Sequence, residues 1–259
     1  MRLELVVLGS GSRGNATLVR GAGAAILIDA GISARQIAAR LEGVGQSPGR
    51  LDAILLTHEH GDHVAGLAGL TRRFPTTVFA NAATLAAVDG RLGDRTTCET
   101  FECGKLFSIG PFDVRAFQVP HDAADPVGFV IETRGRRFGF ATDLGHVTDS
   151  ISEELSDCDA LVFEANHDRE MLRDGPYPWF TKQRVASELG HLSNEHAAAE
   201  LTRIVSERTS QLVLAHLSAT NNDPGLACAT VAGALRSAGP GAPSVVAASQ
   251  SEPLGPLAW

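Results

Sequence analysis

The segment Thr57-His58-Glu59-His60-Gly61-Asp62-His63 carries the strongest signal in the sequence. It follows a short apolar run that predicts a buried strand, and it precedes a segment with the pattern of a helix. Its short backbone spreads the four potential ligands too widely for one ion. Two neighbouring ions would satisfy them, with His58 and His60 on one and Asp62 and His63 on the other. Imidazole suits zinc, iron, nickel or copper, and carboxylate also admits manganese. A polar loop with chance histidines is the alternative, and the position at a strand end favours the metal site.

Two ions need further ligands from distant parts of the chain. Three residues stand where apolar runs that predict strands come to an end: His121, Asp143 and His216. Open sheets present functional groups at the ends of their strands. This shared position favours the three residues over two other candidates, His146 and His196.

Hydrophobic patterning predicts a mixed α/β fold with no linker or internal repeat. The predicted strands cover 3–8, 15–20, 24–29, 52–57, 76–80, 112–119, 126–133, 137–142, 159–163, 211–215 and 244–249. The predicted helices cover 33–42, 64–73, 82–88, 149–156, 182–189, 194–207 and 224–238. This mixture suggests two sheets packed together, with helices on the outside.

Several stretches around these candidates match one known family. They are residues 9–15, 27–31, 163–168, 175–179, 190–195 and 215–218. With the histidine-rich segment they resemble the metallo-β-lactamase superfamily along nearly the whole chain, and within it the exonucleases of the YycJ/WalJ type. The resemblance implies an α/β fold, the αββα four-layer sandwich, formed by residues 1–259 as a single domain.

The resemblance also implies seven metal ligands, and none of the seven positions departs from the family pattern. It places them as follows: His58, His60 and His121 on one ion, Asp62, His63 and His216 on the other, and Asp143 bridging both. The expected cofactors are therefore two divalent metal ions, zinc or manganese, with iron as a further candidate.

We expect Asp62, Asp143 and His191 to be the catalytic residues. His191 resembles the proton-donor histidine of the nuclease branch of this superfamily. Cleavage of a phosphodiester expels an alkoxide, which needs a proton or a cation. The alternative is an imidazole that is merely hydrogen-bonded near the start of a helix. The expected activity is a metal-dependent phosphodiesterase, a nuclease or exonuclease with DNA or RNA as its substrate.

Other polar residues admit two interpretations. The glycines of segment 9–14 match a dinucleotide fingerprint, but a strand follows them where that fingerprint requires a helix, so they predict a hairpin near the mouth of the site. Asp29 is expected to be a structural carboxylate that hydrogen-bonds the loops around the metals, as the resemblance suggests. Glu164, Asn166 and His167 either line the rim of the site or form a polar loop.

Segment 169–184 mixes basic residues with aromatic ones, among them Arg169, Lys182, Tyr177 and Trp179. Such interleaving can hold phosphates and stack bases. The alternative is a loop whose aromatic side chains only anchor it to the sheet, and for Trp179 alone this is the preferred interpretation.

The composition of the 259-residue chain argues against several classes of protein. The formal net charge is −8, which argues against a generally basic surface for nucleic acid but not against a local groove. Four cysteines without a Cys-x-x-Cys pair predict reduced thiols in a cytoplasmic protein. No apolar run reaches about 18 residues and the N-terminus has the pattern of a strand, so neither a membrane span nor a signal peptide is expected.

Three alternatives stay open at this point. The first is a small-molecule hydrolase of the same fold, namely a thioesterase, lactonase, β-lactamase-like enzyme or small phosphodiesterase. The second is a diiron oxygen-reducing protein, which would want a carboxylate where this chain has His60. The third is a non-catalytic scaffold with a structural metal, which an intact ligand set does not favour. Oligomeric state, the choice between DNA and RNA, and the direction of attack are not determined by the sequence.

Overall fold

The computed structural model describes residues 3–93, 96–239 and 241–259. These residues form two compact units. The first comprises 3–93, 96–116, 123–127 and 249–259, and the second comprises 117–122, 128–239 and 241–248. None of the described helices is both long and apolar enough to span a membrane.

The strands are β1 Glu4–Gly9, β2 Ala16–Gly21, β3 Ala24–Ile28, β4 Ala53–Leu55, β5 Val78–Ala80, β6 Cys98–Thr100, β7 Leu106–Ile109, β8 Phe112–Gln118, β9 Val127–Thr133, β10 Arg136–Ala141, β11 Ala160–Glu164, β12 Gln211–Ala215, β13 Ser244–Ala247 and β14 Leu254–Ala258. The α-helices are α1 Ala34–Gly43, α2 Gly61–Val64, α3 Leu67–Arg73, α4 Ala82–Val88, α5 Asp149–Leu155, α6 Arg169–Asp174, α7 Trp179–Val185, α8 Asn194–Ile204 and α9 Pro224–Ala238.

The first unit contains a mixed sheet in the order β14-β1-β2-β3-β4-β5-β6. Its strands from β14 to β3 pair antiparallel, whereas β3, β4, β5 and β6 pair parallel. Helices α1 and α3 contribute Ile37, Leu41, Leu67 and Leu70 to one apolar core with residues of this sheet. Strands β3, β4 and β5 are continuous apolar runs, as expected of strands that are covered on both faces, whereas β6 at the edge is exposed.

The second unit is built on β13-β12-β11-β10-β9. Strands β10 to β13 pair parallel, and β9 pairs antiparallel with β10. Leu155 of α5, Leu201 of α8 and Val231 of α9 share an apolar core with the strands. In such a sheet the carboxyl ends of neighbouring parallel strands meet at one edge, so residues that follow β10, β11 and β12 come together.

Most predicted elements are present, and the differences have local causes. The predicted helix 64–73 is two helices, because the chain breaks at Gly66, whose N–H donates to Ala30 O at 2.7 Å. The predicted helix 182–189 instead spans Trp179–Val185. Strands β6, β7 and β14 were not predicted, since they are short and only β7 contributes a buried residue. Helix α6 was also missed because it is short. None of the four cysteines forms a disulfide among the described residues, in line with the prediction of reduced thiols.

Candidate metal centre

The histidine-rich segment gathers its four candidate ligands directly after β4. The ring of His58 lies 4.6 Å from that of His60 and 4.1 Å from that of His63, measured between centroids. Asp62 Oδ2 is 3.8 Å from His63 Nε2. His58 and His63 are buried, whereas His60 and Asp62 are half-buried. The short segment therefore presents imidazole and carboxylate groups side by side in the first unit.

Backbone contacts hold this segment against the loop that follows β3. The N–H of Ala30 donates to His63 O, and the N–H of Asn15 donates to Asp62 O, both at 2.8 Å. A Cβ atom on Gly31 would lie 1.6 Å from Asp62 O, so this close approach requires glycine. The glycine-containing turn between β1 and β2 joins an antiparallel hairpin, as predicted, and it carries Asn15 to the same place.

Asp29 and Thr57 orient two of the histidines. Asp29 Oδ2 lies 2.8 Å from His63 Nδ1, and Asp29 Oδ1 accepts from Thr57 N at 2.9 Å. Thr57 Oγ1 lies 2.9 Å from Asp29 Oδ2 and 3.0 Å from His58 Nδ1. Because the hydroxyl gives its single hydrogen to the carboxylate, it accepts from the N–H at Nδ1 of His58. Both rings then carry a lone pair on Nε2, which is the form that binds a metal. The prediction that Asp29 hydrogen-bonds these loops is confirmed.

A second cluster lies at the carboxyl ends of the strands in the second unit. Asp143, Glu164, His191 and His216 offer ligand atoms within 4.8 Å of one another. Asp143 Oδ1 lies 3.6 Å from His216 Nδ1 and 3.7 Å from His121 Nε2. The structure therefore brings together the three strand-end residues that the sequence singled out.

Glu164 organises this cluster from inside the sheet. It is the last residue of β11, fully buried, and its Oε1 lies 2.9 Å from His191 Nδ1 and 3.1 Å from His216 Nδ1. Its carboxylate also accepts from the N–H groups of Asp143 and Leu144, each at 3.0 Å. Burial alone raises the pKa of Glu164, but the charge of His191 and the hydrogen bonds from His191 and His216 outweigh it and lower the pKa to about 2. Of the two interpretations offered for this residue, neither a rim position nor a polar loop describes it.

The backbone at three of these positions is strained. Asp29, Asp143 and His216 have φ angles of 60°, 60° and 56°, in the left-handed region that costs a non-glycine residue of order 1 kcal/mol or more. Asp29 and His216 come immediately after β3 and β12, and Asp143 comes two residues after β10 ends. The turn of the chain at each strand end points a functional group out of the ladder, which is a common use of such strain.

His191 is set apart from the strand-end residues by its position in the loop before α8. Gly190 packs so closely against the end of α7 that a Cβ atom there would lie 2.2 Å from Arg184 O. The N–H of His191 donates to Val185 O at 2.9 Å. With Nδ1 directed to Glu164, Nε2 is the nitrogen that can exchange a proton with a substrate.

The donor set fits divalent metal ions. The candidates are imidazole nitrogens and carboxylate oxygens, the ligands that zinc, manganese and iron accept. Buried carboxylates hold the remote ring nitrogens of His63 and His216, as is usual for metal-binding histidines. Burial lowers the pKa of His121, although Asp143 opposes the effect, and a lowered pKa favours the neutral ring that a metal ligand requires. The assignment of each residue to a particular ion stays a prediction.

A cavity of about 720 Å³ lies in the second unit beside His191. Residues of α6, α7 and α8 line it, including Trp179 and Lys182 from the basic and aromatic segment. His167 also lines it and is 3% exposed. Burial lowers the pKa of His167 to about 4, so the ring is neutral near pH 7. Sequence reasoning named His167 but had no signal for the cavity, because the cavity depends on how three consecutive helices pack against one another and against residues 145–147.

Comparison with known proteins connects these observations to a family. Residues 24–217 match the family model described as a beta-lactamase superfamily domain. The exodeoxyribonuclease WalJ of Streptococcus pneumoniae serotype 2 is 39% identical over 236 residues, which are 90% of this chain and 88% of that protein. The exodeoxyribonuclease YycJ of Bacillus anthracis is 37% identical over 241 residues, covering 92% of this chain and 91% of that protein.

Solved structures agree on the fold. The metallo-beta-lactamase fold protein YhfI from Bacillus subtilis matches with a TM-score of 0.75 at 16% identity, covering 98% of this chain and 99% of that one. Zn(2+)-bound PqqB from Methylobacterium extorquens matches with a TM-score of 0.70 at 22% identity, covering 98% of this chain and 100% of that one. The predicted α/β fold of the metallo-β-lactamase type is confirmed.

Proposed function

This chain belongs to the metallo-β-lactamase superfamily and, within it, to the WalJ/YycJ type, and on this premise we propose that it is a metal-dependent exonuclease that hydrolyses phosphodiesters of DNA. The observation that carries the proposal is the pair formed by His191 and the buried Glu164 beside Asp143. It supplies an oriented imidazole next to candidate metal ligands, which is what expulsion of an alkoxide requires.

We propose that two divalent ions, zinc or manganese, are the cofactors. The ligands in this proposal are the seven of the family pattern: His58, His60, Asp62, His63, His121, Asp143 and His216. The chemistry that such ions supply when bound is polarisation of the phosphate and a lower pKa of the attacking water. Support comes from the oriented rings of His58 and His63 and from the cluster around Asp143.

The chain's own residues then have separate roles. Asp62 and Asp143 provide negative charge at the reaction centre, and the strained backbone of Asp143 fixes its direction. His191 holds a proton for the leaving oxygen, while Glu164 holds Nδ1 of that ring and keeps its orientation. Glu164 is in our proposal a positioning residue, because it is fully buried and acts through His191 and His216.

The rival with the same fold is a hydrolase of small esters, thioesters, lactones or β-lactams. A thioester expels a thiolate, which needs a proton less than the alkoxide of a phosphodiester does, and a small substrate of any of these classes would not need the cavity beside His191. The oriented His191 therefore argues against a thioesterase. The relatives named exodeoxyribonucleases favour phosphodiesters over esters, lactones and β-lactams, whose leaving groups also need a proton.

One assay tests the proposal. The metal-reconstituted protein is incubated with end-labelled single- and double-stranded DNA and RNA. In parallel it is incubated with a small-molecule phosphodiester, a thioester, a lactone and a β-lactam. We expect release of nucleotides from DNA ends with a higher kcat/KM than for any other class. The Asp143→Asn variant, purified in the same way, detects contaminating nuclease. A thioester or lactone that exceeds every phosphodiester in kcat/KM would make the rival correct.

A further inference from the structure

The cavity beside His191 has chemistry that the proposed hydrolysis does not use. Its volume of about 720 Å³ lies within the roughly 300–1,000 Å³ typical of small-molecule sites. Leu172, Leu192 and Val147 give it an apolar wall. Such a wall suits a flat organic group better than a bare phosphate.

One residue that lines the cavity has a ring nitrogen without a hydrogen-bond partner among the described residues. The side chain of His167 is only 3% exposed, and its Nδ1 has no hydrogen-bond partner among the described residues. A buried polar atom without a partner costs free energy, and a ligand that pairs with it recovers that cost. The neutral ring of His167 can donate from one nitrogen and accept at the other, as the edge of a nucleobase can.

The three Lys and Arg side chains that line the cavity each have a partner among the described residues, and for Lys182 it is the carbonyl of Arg173, at 2.6 Å. Arg169 lies 3.7 Å from Glu195, and Arg173 lies 2.9 Å from Asp174. Glu188 and Glu200 line the same cavity. These contacts leave little net positive charge for a phosphate, so they favour an uncharged moiety.

Trp179 provides a surface for such a moiety. It lines the cavity although its side chain is 72% exposed, so an indole face is accessible to a ligand. Stacking of a base on an aromatic side chain is worth about 1–3 kcal/mol and tolerates every base.

His191 connects the cavity to the reaction centre. It lines the cavity and also directs Nδ1 to Glu164 in the cluster around Asp143. In the proposed reaction His191 gives a proton to the leaving oxygen. The part of the substrate that is attached to this oxygen would therefore face the cavity that His191 lines. We propose that the cavity binds the terminal nucleoside of the DNA strand, with its base stacked on Trp179 and hydrogen-bonded to His167. This inference rests on the proposed function, because it assigns the nucleoside to the leaving side of that reaction.

Fluorescence gives a test that does not depend on activity. The chain has two tryptophans, so Trp259→Phe leaves Trp179 as the single indole in the full-length, metal-loaded protein. With excitation at about 295 nm we expect saturable quenching by deoxyadenosine and by thymidine, because stacking brings the base against the indole. Deoxyribose 5-phosphate and inorganic phosphate should not quench. The Trp179→Phe variant, which retains only the buried Trp259, should show no saturable response to any of them.

Substitutions then test the two contacts. Trp179→Ala and His167→Phe should each weaken deoxyadenosine binding by about tenfold, consistent with the loss of one stacking or hydrogen-bonding contact. His167→Gln keeps a polar group and should lose less than His167→Phe. Phe180 is the matched control, because it is also 72% exposed on α7 but does not line the cavity, so Phe180→Ala should leave binding unchanged. Circular dichroism melting checks that each variant is folded.

The outcomes separate this inference from the proposed function. Cleavage of DNA without nucleoside quenching, or with equal weakening by Phe180→Ala, would overturn the nucleoside site and leave the nuclease intact. Nucleoside quenching without cleavage of any phosphodiester would overturn the proposed function and leave a nucleoside-binding cavity. Equal binding of deoxyribose 5-phosphate would also overturn the inference, since it would assign the cavity to phosphate.

Discussion

The carboxylate of Asp29 lies 2.8 Å from Nδ1 of His63, and both side chains are fully buried. The same carboxylate accepts from the backbone N–H and the hydroxyl of Thr57, which in turn contacts His58. One residue at the end of β3 thus orients two candidate ligands that follow β4. The relationship predicts that Asp29 affects metal binding without being a ligand.

Asp29→Asn should lower metal affinity by about 10–100-fold, the range seen when a partner of a metal-binding histidine is lost. The amide of asparagine keeps the shape of the carboxylate, but its NH₂ group would face one of the groups of Thr57 or His63 that now donate to Asp29. Competition with a chelator measures the affinity. Asp52→Asn is the matched control, because Asp52 also accepts a backbone N–H, from Ala25, but is exposed. Unchanged affinity in Asp29→Asn would show that the ring of His63 needs no carboxylate.

Asp143→Ala should lower the bound metal and abolish hydrolysis, because the proposed bridge orders both ions. Elemental analysis of the wild-type protein should give two metal equivalents per chain. Asp149→Ala serves as the control. Asp149 is exposed, and among the described residues its carboxylate pairs with Arg203 at the surface. A fully active wild-type protein with one ion or none would contradict the two-metal proposal.

His191→Ala should leave the metal content unchanged while turnover of DNA falls by roughly 10²–10⁴-fold, as for a lost general acid. The loss should be much smaller for a substrate with a nitrophenolate leaving group, which needs no proton. The comparison of the two substrates separates a proton donor from a structural residue. An equal loss on both, at full metal occupancy, would assign His191 to positioning of its loop.

Asp159 predicts a pH dependence of stability away from the metal cluster. Burial raises the pKa of Asp159, but hydrogen bonds from Arg208, Arg137 and Arg136 outweigh it and lower the pKa below its usual value. A carboxyl group with a lowered pKa in the folded state stabilises the protein above its unfolded pKa, about 3.9 for Asp, and that stability is lost as the pH falls through the folded pKa.

Asp159→Asn should therefore reduce the free energy of unfolding by about 1–3 kcal/mol near pH 7, the usual worth of hydrogen bonds to a buried charged group. The difference from wild type should shrink as the pH is lowered below about 4. Denaturant unfolding at several pH values measures both effects. Asp174→Asn removes an exposed pair with Arg173 and should change stability little. A difference that stays constant down to acidic pH would refute the role of ionised Asp159.

Much of this protein is determined locally by its sequence. The segment from His58 to His63 concentrates metal ligands at a strand end, and no distant contact is needed to recognise it. The segments before His121, Asp143 and His216 predicted strands that the structure contains. The segment before His121 alternates apolar and polar residues, whereas those before Asp143 and His216 end in continuous apolar runs. Parallel pairing then brings residues after neighbouring strands to one edge, so the second cluster follows from the pattern and the topology together.

Tertiary structure alone decided the environment of these groups. Glu164 has the same local pattern as many acidic residues at strand ends, and only the folded chain shows its carboxylate between His191 and His216. The cavity with His167 and Trp179 arises from the way α6, α7 and α8 pack against one another and against residues 145–147. Hydrophobic periodicity reports which residues are buried, but hydrogen-bond partners and cavities depend on how non-local segments pack, and that packing leaves no periodic signal in the sequence.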